Sequence, residues 1–338
     1  MVSVLQTNRG RSVLATGWRA IGGMVFAAAT CVAAAGPLDV PAPFRVAFDY
    51  TRRGHYRQAL AESRELTKSS PAHPLADLIA AEAYWGLIYC ETGRITERQV
   101  WYVADRKTSG WDAEFFRAVD RTLASSRALR ADPKTAALGA FYSGLARLVR
   151  SRLYALRGQS LKSASDAKQF RADFLEAIAK EPELGPDANL GLGAYNYYAD
   201  ALSPILKLVR FFLRIPGGER AKGLEQLRVA SGKAELLTAE AQFELGRIYG
   251  VREGRPAEAL PLFETLAERY PGNALYSLSA AFQAEAAGKK ELALELAHKA
   301  SEAAAEMDEP CRQRMGEAAR GAVARLQPAS SSRGRSGL

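Results

Sequence analysis

The stretch LGRIYGVREGRPAEALPLFETLAERYPG, residues 245–272, decides the fold. Its Gly254, Ala259 and Leu266 are followed 34 residues later by Gly288, Ala293 and Ala300. A fixed period of that length is the signature of a stacked helix-pair repeat. Residues 239–252 are expected to form the first helix of a pair and residues 256–269 the second. Gly246 and Ala259 are small where two backbones must cross, while Leu245, Tyr249, Leu260 and Phe263 fill the seam around them. Gly254 turns the chain, and Pro271 with Gly272 stops the second helix, because proline cannot continue the hydrogen-bond ladder.

The order Leu245-Gly246, Tyr249, Gly254, Ala259, Phe263, Pro271 resembles the tetratricopeptide repeat, whose pattern runs Leu-Gly-x-x-Tyr, a glycine turn, then Ala, Phe and Pro. It departs from that pattern by one extra residue between the helices and by Pro261, which is expected to delay or kink the second helix. Working outward, Gly54, Ala59, Leu66 and Pro71 repeat the spacing of Gly254, Ala259, Leu266 and Pro271 at a distance of 200 residues. Trp85-Gly86-x-x-Tyr89 opens another unit that turns at Gly93. Residues 112–131 and 134–157 read as long amphipathic helices separated by Asp132-Pro133, an expected N-cap and first-turn proline. Residues 161–180 form a further helix, and a polar helix from Pro310 to Leu326 is expected to cap the stack. The fold class is therefore all-α: a tetratricopeptide-like α-solenoid of about seven antiparallel helix pairs, several of them degenerate, with a C-terminal capping helix.

Composition agrees. The chain has 338 residues, 48% of them apolar, enough to bury a large core. Alanine, leucine, glutamate and arginine dominate, and all favour helices. The formal charge is +9; three of those charges, Arg9, Arg11 and Arg19, stand in an acid-free leader, so a processed chain carries about +6. Basic and acidic residues alternate, which agrees with anionic partners without demanding them. Residues 1–35 read as a secretory signal, arginines followed by the Ala-Gly-Val run Ala20 to Ala35, with a small-residue cleavage site near Ala35. An uncleaved anchor and an organelle transit peptide are the competing readings, and lipidation at Cys31 is disfavoured by the preceding Thr30. The expected organisation is a proline-rich linker over 36–45, a repeat domain over 46–326 and a disordered tail over 327–338. Export places the repeat domain in the periplasm or cell envelope. Cys90 and Cys311 lie near opposite ends of such an array, and buried free thiols are expected unless the array curls closed.

The segment Gly191 to Ser231 departs most from the period. Gly193, Tyr195, Asn196, Pro204, Arg220, Gly223, Leu224 and Leu227 stand in an order similar to the tetratricopeptide-repeat domain 39 family, over about 40 residues. The resemblance implies a helical-repeat protein without known catalytic residues and, in some relatives, a link to lipid or membrane homeostasis. Ser203-Pro204 is expected to start a short apolar helix that Pro216 ends, with Lys207, Arg210 and Arg214 on one face. That face is either a solvated edge of a core helix or a site for an anionic surface.

Chemistry is scarce. His55, His73 and His298 are the only histidines, and no two stand at metal-binding helical spacing. Glu295 and His298 form a single Glu-x-x-His without a second pair, and neither a phosphate loop nor a nucleophile elbow is present. No enzyme activity, metal or cofactor is expected. Binding is. In tetratricopeptide arrays first helices line the concave face, and those positions fall on Phe44, Phe48, Phe243, Arg247, Leu278 and Phe282. The expected function is a scaffold for a protein or peptide partner, with a peripheral membrane role as the alternative. Nucleic acid is not expected, since basic runs interleaved with aromatics are missing.

Overall fold

Glycines with left-handed backbone close four of the helix hairpins: Gly54, Gly158, Gly254 and Gly288 have φ of +78°, +70°, +63° and +77°, a region that side-chain-bearing residues rarely adopt. The computed structural model describes residues 37–93, 107–201, 214 and 216–327. Among them lie the helices α1 (Ala42–Arg52), α2 (Tyr56–Ser69), α3 (Pro74–Thr92), α4 (Asp112–Ala131), α5 (Ala136–Leu156), α6 (Ser160–Lys180), α7 (Gly185–Asp200), α8 (Arg220–Lys233), α9 (Thr238–Arg247), α10 (Pro256–Arg269), α11 (Ala274–Ala286), α12 (Lys290–Ala304) and α13 (Cys311–Leu326). Consecutive helices pack as α1 with α2 through α11 with α12, six pairs among the described residues, and α13 follows on its own. The expected helix over 203–215 lies outside the described residues, apart from Arg214.

The periodic positions do what their size permits. Ala59, Ala259 and Ala293 are fully buried at the crossings. Gly86 lies against the ring of Tyr56, and a Cβ on Gly246 would come 3.0 Å from the ring of Phe263. Tyr89 and Tyr249 are buried one turn further along, and Pro71 and Pro271 follow the ends of α2 and α10. The extra residue between α9 and α10 is absorbed in a π-helical turn, Ile248–Arg252, which widens the helix by one residue per turn. Pro261 does not delay α10, which begins at Pro256 and runs through it.

Two boundaries differ from the sequence reading. The segment expected to be a linker contains the start of α1 at Ala42, and Leu38 and Val40 before it are buried. α5 starts at Ala136 rather than 134, because the Asp132 carboxylate accepts from the Lys134 N–H (2.9 Å) in a turn ahead of the helix.

In the middle segment α7 and α8 cross at two glycines. A Cβ on Gly193 would lie 2.8 Å from the Gly223 carbonyl oxygen, and one on Gly223 would lie 2.6 Å from the Tyr197 nitrogen. The Asn196 amide donates to Gln226 (2.7 Å), tying the two helices beside that crossing, and the Tyr195 hydroxyl donates to the Pro216 carbonyl ahead of α8 (2.6 Å).

The ends of the array meet. The Asn273 side chain caps α11 by accepting from the Leu275 N–H (3.1 Å) and donates to the Arg52 carbonyl at the end of α1 (2.8 Å). The Arg57 N–H at the start of α2 donates to Asp308 (2.7 Å), and Arg314 on α13 donates to the Gly93 carbonyl beyond α3 (2.9 Å). The expectation of free thiols is corrected here: Cys90 and Cys311 form a disulfide, their Cα atoms 4.9 Å apart. The cause is curvature. The array curls until α13, besides covering the last pair, packs on α3, bringing together cysteines separated by 221 residues.

Candidate functional site

The first helices of the pairs carry a set of charges that meet one another. Arg52, at the end of α1, donates to Glu240 on α9 (2.9 Å) and to Asp49 (2.8 Å), with its guanidinium 4.4 Å above the Phe48 ring. Arg152 on α5 donates to Glu82 on α3 (2.6 Å) and lies 5.8 Å from the Trp85 ring. On α9, Arg247 donates to Glu244 (2.7 Å) and to the Tyr198 hydroxyl of α7 (2.6 Å), which itself donates to Glu244 (2.8 Å). Ion pairs thus join α1 to α9 and α5 to α3, and the Tyr198 hydroxyl ties α7 to α9, each group partly shielded from water.

Two of these carboxylates, Glu82 and Glu244, are driven in opposite directions. Burial pushes Glu82 up, Arg152 works against that, and Glu240 adds repulsion, leaving its carboxyl above the ordinary value. Burial also pushes on Glu244, but the Arg247 charge with the hydrogen bonds from Arg247 and Tyr198 outweighs it, holding that carboxyl below the ordinary value. The Arg52 guanidinium, although buried, is held charged by Glu240 and Asp49. Side-chain exposures of 14% for Glu82, 24% for Arg152 and 14% for Glu244 leave this inner face open to water at its rim.

The fold is a tetratricopeptide-like α-solenoid. No family model matches the chain, and no curated protein matches it. Among solved structures it is similar to the C-terminal part of a TPR repeat-containing protein from Cytophaga hutchinsonii, at 14% identity over 85% of this chain and 96% of that one, with a TM-score of 0.31. It is similar also to the TPR domain of P58(IPK), at 12% identity over 85% and 99%, with a TM-score of 0.25. The architecture of the solenoid rests on its own helix pairs.

Of the positions expected to line a peptide groove, Phe44, Phe48, Arg247, Leu278 and Phe282 are buried and Phe243 is half-buried. Phe44 packs at a tilt on His73 (4.3 Å between ring centroids), and Phe243 packs edge-on against Phe263 (5.8 Å). They pack in the hydrophobic core between helices. Lys207 and Arg210 lie outside the described residues; Arg214 is exposed in a turn with φ of +52° and is not helical. His73 caps α3 through its Nδ1, which accepts from the Leu75 N–H (3.2 Å), while Glu295 pairs with Lys299 (2.7 Å) rather than with His298. Among the described residues no group of three or more His, Cys, Asp or Glu side chains could hold a metal ion, and no helix is long and apolar enough to cross a membrane.

Of the inner charges, sequence reasoning reached only Arg247, as a groove position, and missed the rest. Glu240, Glu244 and Arg247 recur at spacings of four and three on a first helix, the pattern of one helix face, and that was the available signal. Their partners Arg52, Glu82, Arg152 and Tyr198 are distant in sequence and carried none.

Proposed function

We propose that this chain is a non-catalytic solenoid scaffold that binds a protein segment and works outside the cytoplasm after loss of its leader. The observation that carries the reading is the Cys90–Cys311 disulfide, buried where the two ends of the helix stack meet. Such bonds persist in oxidising compartments, and residues 1–35 have the composition of a secretory signal. The resemblance of residues 193–227 to the tetratricopeptide-repeat domain 39 family supports the non-catalytic part. The partner is taken along the inner rim, where the partly exposed Glu82, Trp85, Arg152 and Glu244 set both charges beside an aromatic face, a surface suited to an extended segment of mixed charge.

The test uses the full-length chain expressed in a bacterial host. Mass spectrometry of the envelope fraction is expected to give an N-terminus near Gly36, with both thiols resistant to alkylation until reductant is added. A photo-crosslinking residue at position 85 is expected to give a discrete protein adduct that the same residue at Lys299, on the outer helix α12, does not. An intact leader with alkylatable thiols refutes export, and identical crosslinking from the two positions refutes the inner rim as the binding face.

A further inference from the structure

A cleft of about 330 Å³ opens on the side of the solenoid away from the inner charges, between α2, α3 and α4. Leu60 and Ala80 are among its apolar lining residues. Around it stand Arg64 and Lys68 of α2, Tyr84 of α3 and Arg121 of α4, together with the carboxylates Asp77 and Glu114. The carboxylates are already engaged. Asp77, buried, accepts the Arg121 Nε–H (2.7 Å), and Glu114 accepts from Arg117 Nε (3.1 Å), outside the cleft.

What remains unengaged consists of hydrogen-bond donors and positive charge. The Arg64 guanidinium has no ion pair or hydrogen bond among the described residues, and the two terminal nitrogens of Arg121 have none either. Lys68 meets only Glu65 (2.8 Å), both side chains being about seven-tenths in water, where such a pair exchanges readily with solvent. The Tyr84 hydroxyl is likewise unpartnered, its ring held by stacking on Trp111 at 5.9 Å. The Asp77 bond fixes the Arg121 guanidinium by its Nε edge and leaves its outer fork available, the geometry that pairs two parallel N–H groups with two oxygens.

We propose that this cleft binds an oxyanion of the phosphate class, gripped by Arg121 and Arg64 with Lys68 and Tyr84 completing the shell. The inference is independent of the scaffold reading, because it concerns a different face. Phosphate chemistry reaches such a site either from a soluble ester or from a lipid headgroup.

The experiment titrates the full chain with inorganic phosphate, then with glycerol 3-phosphate, by calorimetry at an ionic strength held constant with chloride. Co-sedimentation with phosphatidylglycerol vesicles follows. The double variant Arg64→Ser/Lys68→Ser is compared with Arg127→Ser as a control, all three side chains being exposed. At least a tenfold loss of phosphate or ester affinity in the double variant, with the control unchanged, is expected. Ester binding without sedimentation identifies a soluble ligand, and sedimentation lost only in the double variant identifies a headgroup. If neither phosphate nor vesicles bind, or if the double variant binds as the parent does, the proposal is overturned.

Discussion

Cys90 on α3 and Cys311 at the start of α13 are joined across 221 residues of chain, and that bond bridges the two ends of the helix array. A cross-link of this span removes loop-closure entropy from the unfolded chain, by about 5 kcal/mol in the chain-entropy account. Replacing both cysteines by alanine is expected to lower the urea midpoint strongly, and adding reductant to the native chain is expected to have the same effect. Chemical denaturation with and without dithiothreitol, followed by circular dichroism, checks both.

Asp187 is buried on α7 and accepts the N–H groups of Glu235, Leu236 and Leu237 at 2.7, 2.8 and 2.9 Å. Those three donors precede α9 and have no other backbone acceptor in sight. Asp187→Ala leaves them buried without a partner and is expected to cost about 3 kcal/mol. Asp187→Asn keeps one acceptor oxygen and is expected to lose less. The ranking is read from urea midpoints.

The crossing of α7 and α8 tolerates no side chain at Gly193 or Gly223, since the atoms that a Cβ would meet include backbone of the partner helix. Backbone cannot rotate away as a side chain does. Gly193→Val is expected to destabilise by about 3 kcal/mol, whereas Gly232→Ala, at a position with open space around it, is expected to be neutral or to raise stability slightly through helix propensity. Thermal unfolding of the two variants separates these outcomes.

Glu82 and Glu244 predict opposite pH dependence. The Glu82 carboxyl titrates above its unfolded value, so its contribution to stability is fully present below the unfolded pKa and is lost as pH rises through the folded one. Glu82→Gln is therefore expected to gain stability relative to the parent as pH rises from 4 upward. The Glu244 carboxyl titrates below its unfolded value, so its contribution is present above the unfolded pKa and disappears as pH falls through the folded one. Glu244→Gln is expected to lose ground to the parent as pH rises, and the gap should close in acid. A series of urea midpoints between about pH 3 and pH 8 reads both slopes; parallel slopes contradict the assignment.

The helix pairs were legible because their signals are local. Gly254, Ala259 and Pro271 each impose a turn, a crossing or a stop on the few residues beside them, so their spacing alone predicts α10 to the residue. The capping helix was legible for the same reason, as a periodic segment of small apolar and charged residues ending at Leu326. Where Pro261 misled, burial of Leu260, Phe263 and Leu266 on one face outweighed one missing hydrogen bond.

The amino-acid sequence by itself determined that this chain folds as stacked helical hairpins, since glycine turns and the small-residue period act within one unit and its neighbour. Only the tertiary structure decided that the stack curls until its ends touch. Curvature accumulates from small rotations between successive pairs, and no single residue encodes their sum. That sum sets Arg52 against Glu240 and carries Cys311 to Cys90.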